Sequence, residues 1–86
     1  MQAIVTEYRG PTNTRGSRII VRAEAGRMTI PWDHALNPDE NHRRAVETFA
    51  RKWSWDGRWV CGHVWRGVVA VCVGGRHEGS LDVVFP

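Results

Sequence analysis

Apolar and polar positions divide this chain into short strands around a single helix. Gln2–Tyr8 reads as a strand, because Ile4, Val5, Thr6 and Tyr8 are β-branched or aromatic. Arg18–Ala23 is a second, with Ile19, Val21 and Ala23 on one face and Ile20 and Arg22 on the other. Arg27–Ile30 is a short third strand ended by Pro31. Glu24-Ala25-Gly26 is the turn that makes strands two and three a hairpin. The Gly, Pro, Thr and Asn content of Gly10–Ser17 predicts a loop between strands one and two.

The period then changes from two to 3.6. Asn37 is a good N-cap, Pro38 suits the first helical position, and Asp39 and Glu40 place negative charge in the first turn. Glu40 is also placed to reach back to the cap. Ala45, Val46, Phe49, Ala50 and Trp53 follow as one apolar stripe, with Arg43, Arg44, Glu47, Arg51 and Lys52 largely off it. Glu47 and Arg51 are spaced as an i,i+4 ion pair. Ser54 to Gly57 ends the helix.

Arg58–Trp65 and Val68–Val73 read as a hairpin joined by Arg66-Gly67. That register sets Trp65 opposite Val68, His63 opposite Ala70 and Cys61 opposite Cys72. The second strand is apolar on both faces, which predicts a central position. Leu81–Phe85 can add a last edge strand. The order β-β-β-α-β-β predicts an α+β fold, an antiparallel sheet of about five strands with one helix packed on one face.

Composition adds the chemistry. The 86 residues make one domain spanning 1–86. They include five tryptophans and twelve Lys plus Arg, of which Lys52 is the single lysine. Arg and Trp are the residues that interfaces concentrate at their energetic centres, and Arg offers a flat, permanently charged fork for carboxylates, phosphates and ring faces. The net charge of +3 suits an anionic partner but falls short of a dedicated nucleic-acid binder. No apolar run approaches the roughly 20 residues of a membrane span, and the N-terminus lacks a secretory pattern. A cytoplasmic protein is expected.

Two cysteines do not make a disulfide framework, and a hydrogen-bonded cross-strand pair splays its side chains, so two free, half-buried thiols are expected. Cys61, His63, Cys72 and His77 match no zinc spacing, so no metal is expected, and no motif calls for a cofactor. Asp33 and His34 are an unconvincing acid-base pair, because neighbours in sequence rarely point at one site. No nucleophile-base pair or carboxylate pair has a catalytic spacing, which argues against an enzyme.

The residues that remain are candidates for gripping a partner. Gly10–Arg18, with Arg9, Asn13, Arg15 and Arg18, can form an anion-binding nest with guanidinium clamps; the plain alternative is a solvated loop. Arg43, Arg44, Arg51 and Lys52 present a basic helix face, which is more often simply solvated. Trp53 and Trp59 are expected in the core. Trp55, beside the helix end, and Trp65, at the hairpin tip with Arg66, are expected as exposed anchors. His42 and His63 read as partly buried structural residues.

Gly-Pro-Thr-Asn-Thr-Arg-Gly-Ser-Arg-Ile at 10–19, Ile-Pro-Trp-Asp-His-Ala-Leu-Asn at 30–37 and Asn-His-Arg-Arg-Ala-Val-Glu at 41–47 carry a resemblance. The chain resembles small, mostly uncharacterised proteins encoded by phages, prophages and mobile elements of proteobacteria. The resemblance implies an inhibitor of host defence, with anti-CRISPR proteins as one such class. It implies the host cytoplasm as the location and a host protein or nucleoprotein complex, such as a CRISPR effector, as partner. Direct nucleic-acid binding is the alternative. The protein would act as a monomer, or as a homodimer joined at an exposed hairpin edge.

Overall fold

The computed structural model describes residues 3–74 and 81–85. Its elements are β1 (Ala3–Arg9), β2 (Arg18–Ala23), β3 (Gly26–Pro31), α1 (Pro38–Lys52), β4 (Gly57–Val64), β5 (Gly67–Gly74) and β6 (Leu81–Val84). All the strands join one six-stranded sheet in the order β3-β2-β1-β5-β4-β6. The α+β class with a single helix is as expected. The last edge strand expected at the C-terminus is present as β6, and it makes the sheet mixed and not wholly antiparallel, because it runs parallel to β4, Trp59 opposite Val83. A strand's direction depends on where the preceding chain crosses, which the composition of Leu81–Phe85 does not record.

The core forms between one sheet face and α1. Ile4, Ile19, Val21, Ile30, Trp59, Cys61, Val68, Ala70 and Val83 pack against Ala45, Val46, Phe49 and Ala50. β5 is interior, between β1 and β4, as its apolar sequence predicts. Its Val69, Val71 and Val73 alternate onto the other face, where no described element lies, and Val73 is 57% exposed. The β4–β5 hairpin is flanked by β1 and β6, so the hairpin strand left at a sheet edge is β3.

Local chemistry fixes both helix ends. Asn37 Oδ1 accepts the Glu40 amide at 2.8 Å, and Pro38 opens the helix. At the other end Ser54 takes a left-handed φ of 57°. Its amide donates to the Arg51 carbonyl at 3.1 Å and the Trp55 amide to the Ala50 carbonyl at 2.8 Å, the paired bonds of a Schellman motif. The motif folds Trp55 back so that its ring sits 5.9 Å from Phe49 and stacks on Trp59 at 5.8 Å. The two tryptophans therefore exchange expected roles. Trp55 is half-buried against the core, while Trp53, at the helix cap, is 38% exposed beside Gly26.

The β4–β5 register also differs from the expected one. The turn residues are Trp65-Arg66, with Arg66 at φ 65°, and Val64 pairs with Gly67. Cys61 then faces Ala70 and Cys72 faces Trp59. Gly67 belongs to the ladder because a Cβ there would lie 1.8 Å from the Thr6 carbonyl oxygen of β1. The glycine serves a close backbone approach and not the turn. The change moves each pairing by two residues, so every side chain keeps its face. Both cysteines are free, as expected, but they are not neighbours across the hairpin.

Candidate functional site

β1, β3 and β4 all end on the same side of the sheet, where β2 and β5 begin. Arg9 pairs with Arg18, and Arg18 with Pro31. Val64 pairs with Gly67, which pairs with Glu7. The loop 10–17, the connection 32–37 and the Trp65-Arg66 turn therefore meet at one end of the molecule.

Aromatic and polar contacts stitch this end together. The Tyr8 amide donates to the Arg66 carbonyl at 2.9 Å, and its hydroxyl lies 3.2 Å from Ser17 Oγ. The Tyr8 ring meets Trp32 edge-on at 4.9 Å, and Trp32 meets the His42 ring at 6.0 Å. Behind them, Thr6 Oγ1 lies 2.7 Å from His42 Nδ1 and accepts the Val68 amide at 3.2 Å. Both residues are buried. Burial holds the His42 pKa below its ordinary value, although the nearby Asp39 carboxylate opposes this.

Asn41 anchors the connection into the helix. Its Nδ2 donates to the carbonyls of Asp33 at 2.9 Å, Asn37 at 3.1 Å and Leu36 at 3.2 Å, and its Oδ1 accepts the Asp33 amide at 2.9 Å. Asn41 is fully buried with both ends of its amide used. Asp33 Oδ1 is also committed, accepting the Ala35 amide at 2.9 Å, and His34 is exposed. Asp33 therefore shapes the turn. Tyr8 and Asn41 were not singled out by sequence. Asn41 carried a usable signal, since it stands four residues before Ala45 on the apolar stripe.

The expected binding residues divide between two regions. Arg9, Arg15, Arg18, Arg44, Trp65 and Arg66 gather at the stitched end, with Asn13 in the exposed part of its loop. Trp65 is 85% exposed, and the Arg66 guanidinium lies 5.7 Å from its ring centre. Arg44 Nη2 donates to the Pro31 carbonyl at 2.9 Å. Arg18 Nη1 reaches the carbonyls of Gly16 at 3.4 Å and Gly10 at 3.5 Å. Arg9 shares Glu7 with Arg22, at 3.4 and 3.6 Å.

The remaining three lie elsewhere. Arg43 sits between Glu47 at 3.3 Å and Glu40 at 3.9 Å, so Glu47 turns to Arg43 and not to the expected Arg51. Arg51 and Trp55 line a cleft of about 380 Å³ at the opposite end, with Ser54, Asp56 and Leu81. Trp55 is thus half-buried and not the exposed anchor expected.

The anion nest also takes a different form. Thr12 Oγ1 accepts the amides of Arg15 at 3.0 Å and Thr14 at 3.3 Å, while the Thr12 amide donates to the Arg15 carbonyl at 2.7 Å. These amides are consumed inside the loop and are not free to form the expected nest. A groove of about 300 Å³ opens beside them, lined by Arg15, Gly16, Ser17, Arg18, Thr29 and Pro31.

Two further features concern reactivity. His63 is exposed, not half-buried, with Nε2 2.9 Å from Asp39 Oδ1. Cys61 is buried, and burial pushes its thiol up to about 11, with Arg43 opposing the shift. Among the described residues no three His, Cys, Asp or Glu side chains come together as a metal set, and His77 lies outside those residues. No described helix is long and apolar enough to cross a membrane. A small α+β scaffold with a guanidinium and indole cluster at one end of its sheet is the class these features define. The chain matches no protein-family profile, no curated protein and no solved structure.

Proposed function

We propose that this protein is a non-enzymatic interaction domain that grips a partner with the end of its sheet carrying Arg15, Arg18, Arg44, Trp65 and Arg66. One observation supports this above the others. Charged and indole groups from the 10–18 segment, α1 and the β4–β5 turn lie along one end of the sheet, where Trp65 is 85% exposed with Arg66 beside its ring, a composition typical of interface anchors. A surface of this size can serve one standard interface of about 800 Å² per partner.

The resemblance at 10–47 adds the biological class. The domain acts in the host cytoplasm on a host protein or nucleoprotein complex, as inhibitors of CRISPR effectors do. Direct binding to nucleic acid is the second reading, favoured by guanidinium groups at this end that have carbonyl partners but no carboxylate.

Affinity capture from host lysate tests the proposal. The wild-type chain should retain a defined complex, and an Arg15→Ala/Trp65→Ala variant, folded by circular dichroism, should lose it. Retention that survives nuclease treatment favours a protein surface, and loss on nuclease treatment favours nucleic acid. Equal capture by wild type and variant would remove the sheet end from the interaction.

A further inference from the structure

Among the described residues two buried side-chain nitrogen or oxygen atoms have no hydrogen-bond partner: Arg18 Nε and Arg44 Nε. They are not scattered. Arg18 is the ladder partner of Pro31, and Arg44 Nη2 donates to the Pro31 carbonyl. Both side chains are partly buried, and among the described residues neither forms an ion pair with a carboxylate. Removing a guanidinium from water without a counter-charge is unfavourable, and an unmet N–H adds to that cost. These two guanidinium groups flank Pro31, which with Arg15, Ser17 and Arg18 lines a 300 Å³ groove, so positive charge gathers there without compensation.

We infer that this groove binds the phosphate groups of a polynucleotide backbone, with Arg15, Arg18 and Arg44 as the cationic partners. The inference rests on the reading that this end is the binding surface. Geometry favours a strand of phosphates over an isolated anion. Pro31 with Arg44, then Arg18, then Arg9, then the Trp65-Arg66 turn occupy successive strands along the sheet end. At about 4.8 Å per strand this row runs about 14 Å, which an extended chain fills with about two or three phosphates. The exposed ring of Trp65 stands at the far end of the row, where an unpaired base can stack. The planar fork of arginine suits phosphate oxygens.

The test uses the whole chain and three probes: inorganic phosphate, a single-stranded oligonucleotide of about ten nucleotides, and poly-glutamate. Phosphate should shift the NMR amide signals of Ser17, Arg18 and Thr29. The oligonucleotide should shift the same signals and quench Trp65 emission. With about three phosphates neutralised, its affinity should fall roughly 20-fold between about 50 and 200 mM salt. Arg44→Gln and the exposed Arg15→Ala should each weaken it about tenfold with the fold intact.

Absence of phosphate and oligonucleotide binding overturns the inference. So does poly-glutamate shifting those amides where phosphate does not, which assigns the groove to an acidic protein surface. Either result can coexist with host-complex capture that depends on Arg15 and Trp65, in which case the interaction reading stands and the phosphate assignment alone fails.

Discussion

Gly67→Ala should be among the most damaging single-methyl additions to this protein. The new Cβ would sit 1.8 Å from the Thr6 carbonyl oxygen and 2.7 Å from its carbon, both backbone atoms of the adjacent strand. No rotamer change relieves that overlap, so β1 must move away from β5. Three bonds at this end depend on the separation: Tyr8 amide to Arg66 carbonyl at 2.9 Å, Val68 amide to Thr6 Oγ1 at 3.2 Å, and Thr6 Oγ1 to Val68 carbonyl at 3.3 Å.

At about 1 kcal/mol net for each, their loss amounts to about 3 kcal/mol. Disturbing the Ile4–Val68 packing beneath adds to this, and about 3–4 kcal/mol is expected. That is a large share of the roughly 4–13 kcal/mol available to a chain of this length. Gly62→Ala is the matched control. It lies in the neighbouring strand, and its added methyl meets nothing within 4 Å, so it should be neutral or stabilise by about 0.5 kcal/mol. Urea unfolding followed by tryptophan fluorescence measures both. A Gly67→Ala loss under about 1 kcal/mol, or equal losses in the two variants, would refute the close-approach argument.

Three further outcomes are expected. Phe49→Ala removes a fully buried ring and should cost about 3–5 kcal/mol in the same assay, whereas Arg66→Ala on the turn should stay within about 0.5 kcal/mol. Burial holds His42 below its ordinary 6.5, so the unfolded chain takes up this proton first as the solution acidifies. Its contribution to stability is therefore complete above about pH 6.5 and declines as pH falls from there toward the folded-state value. The pH dependence of the urea midpoint should flatten over that window in His42→Gln. With an aromatic thiol-exchange reagent, half-buried Cys72 should react in the native protein, while Cys61, buried and pushed up to about 11, should react only on unfolding.

What could be read from sequence was local. The Asn37 cap, Pro38 and the Ala45–Ala50 stripe fix α1 through bonds spanning three or four residues, and the structure places the helix there. β2 was legible for the same reason, since alternation around Ile19 and Val21 needs no knowledge of partners. Tertiary demands hid the rest. Gly67 looked like a turn glycine because the Thr6 carbonyl that requires it lies 61 positions away in sequence. Trp55 looked exposed because the signal that buries it is Ser54 in a left-handed conformation, where glycine is the usual marker. At the candidate site the arginines were legible as residue types. Their division into a convergent group around Pro31 and a self-neutralised Arg43 was not, because it follows from strand order.

The distribution of indoles makes the chain its own instrument. Trp55 and Trp59 lie face to face, 15° from parallel, so their electronic transitions couple and report whether the packed interior is intact. Trp65 stands in water at the other end, and its emission answers to whatever touches it. Occupancy and integrity can thus be followed on separate optical channels in one unlabelled sample.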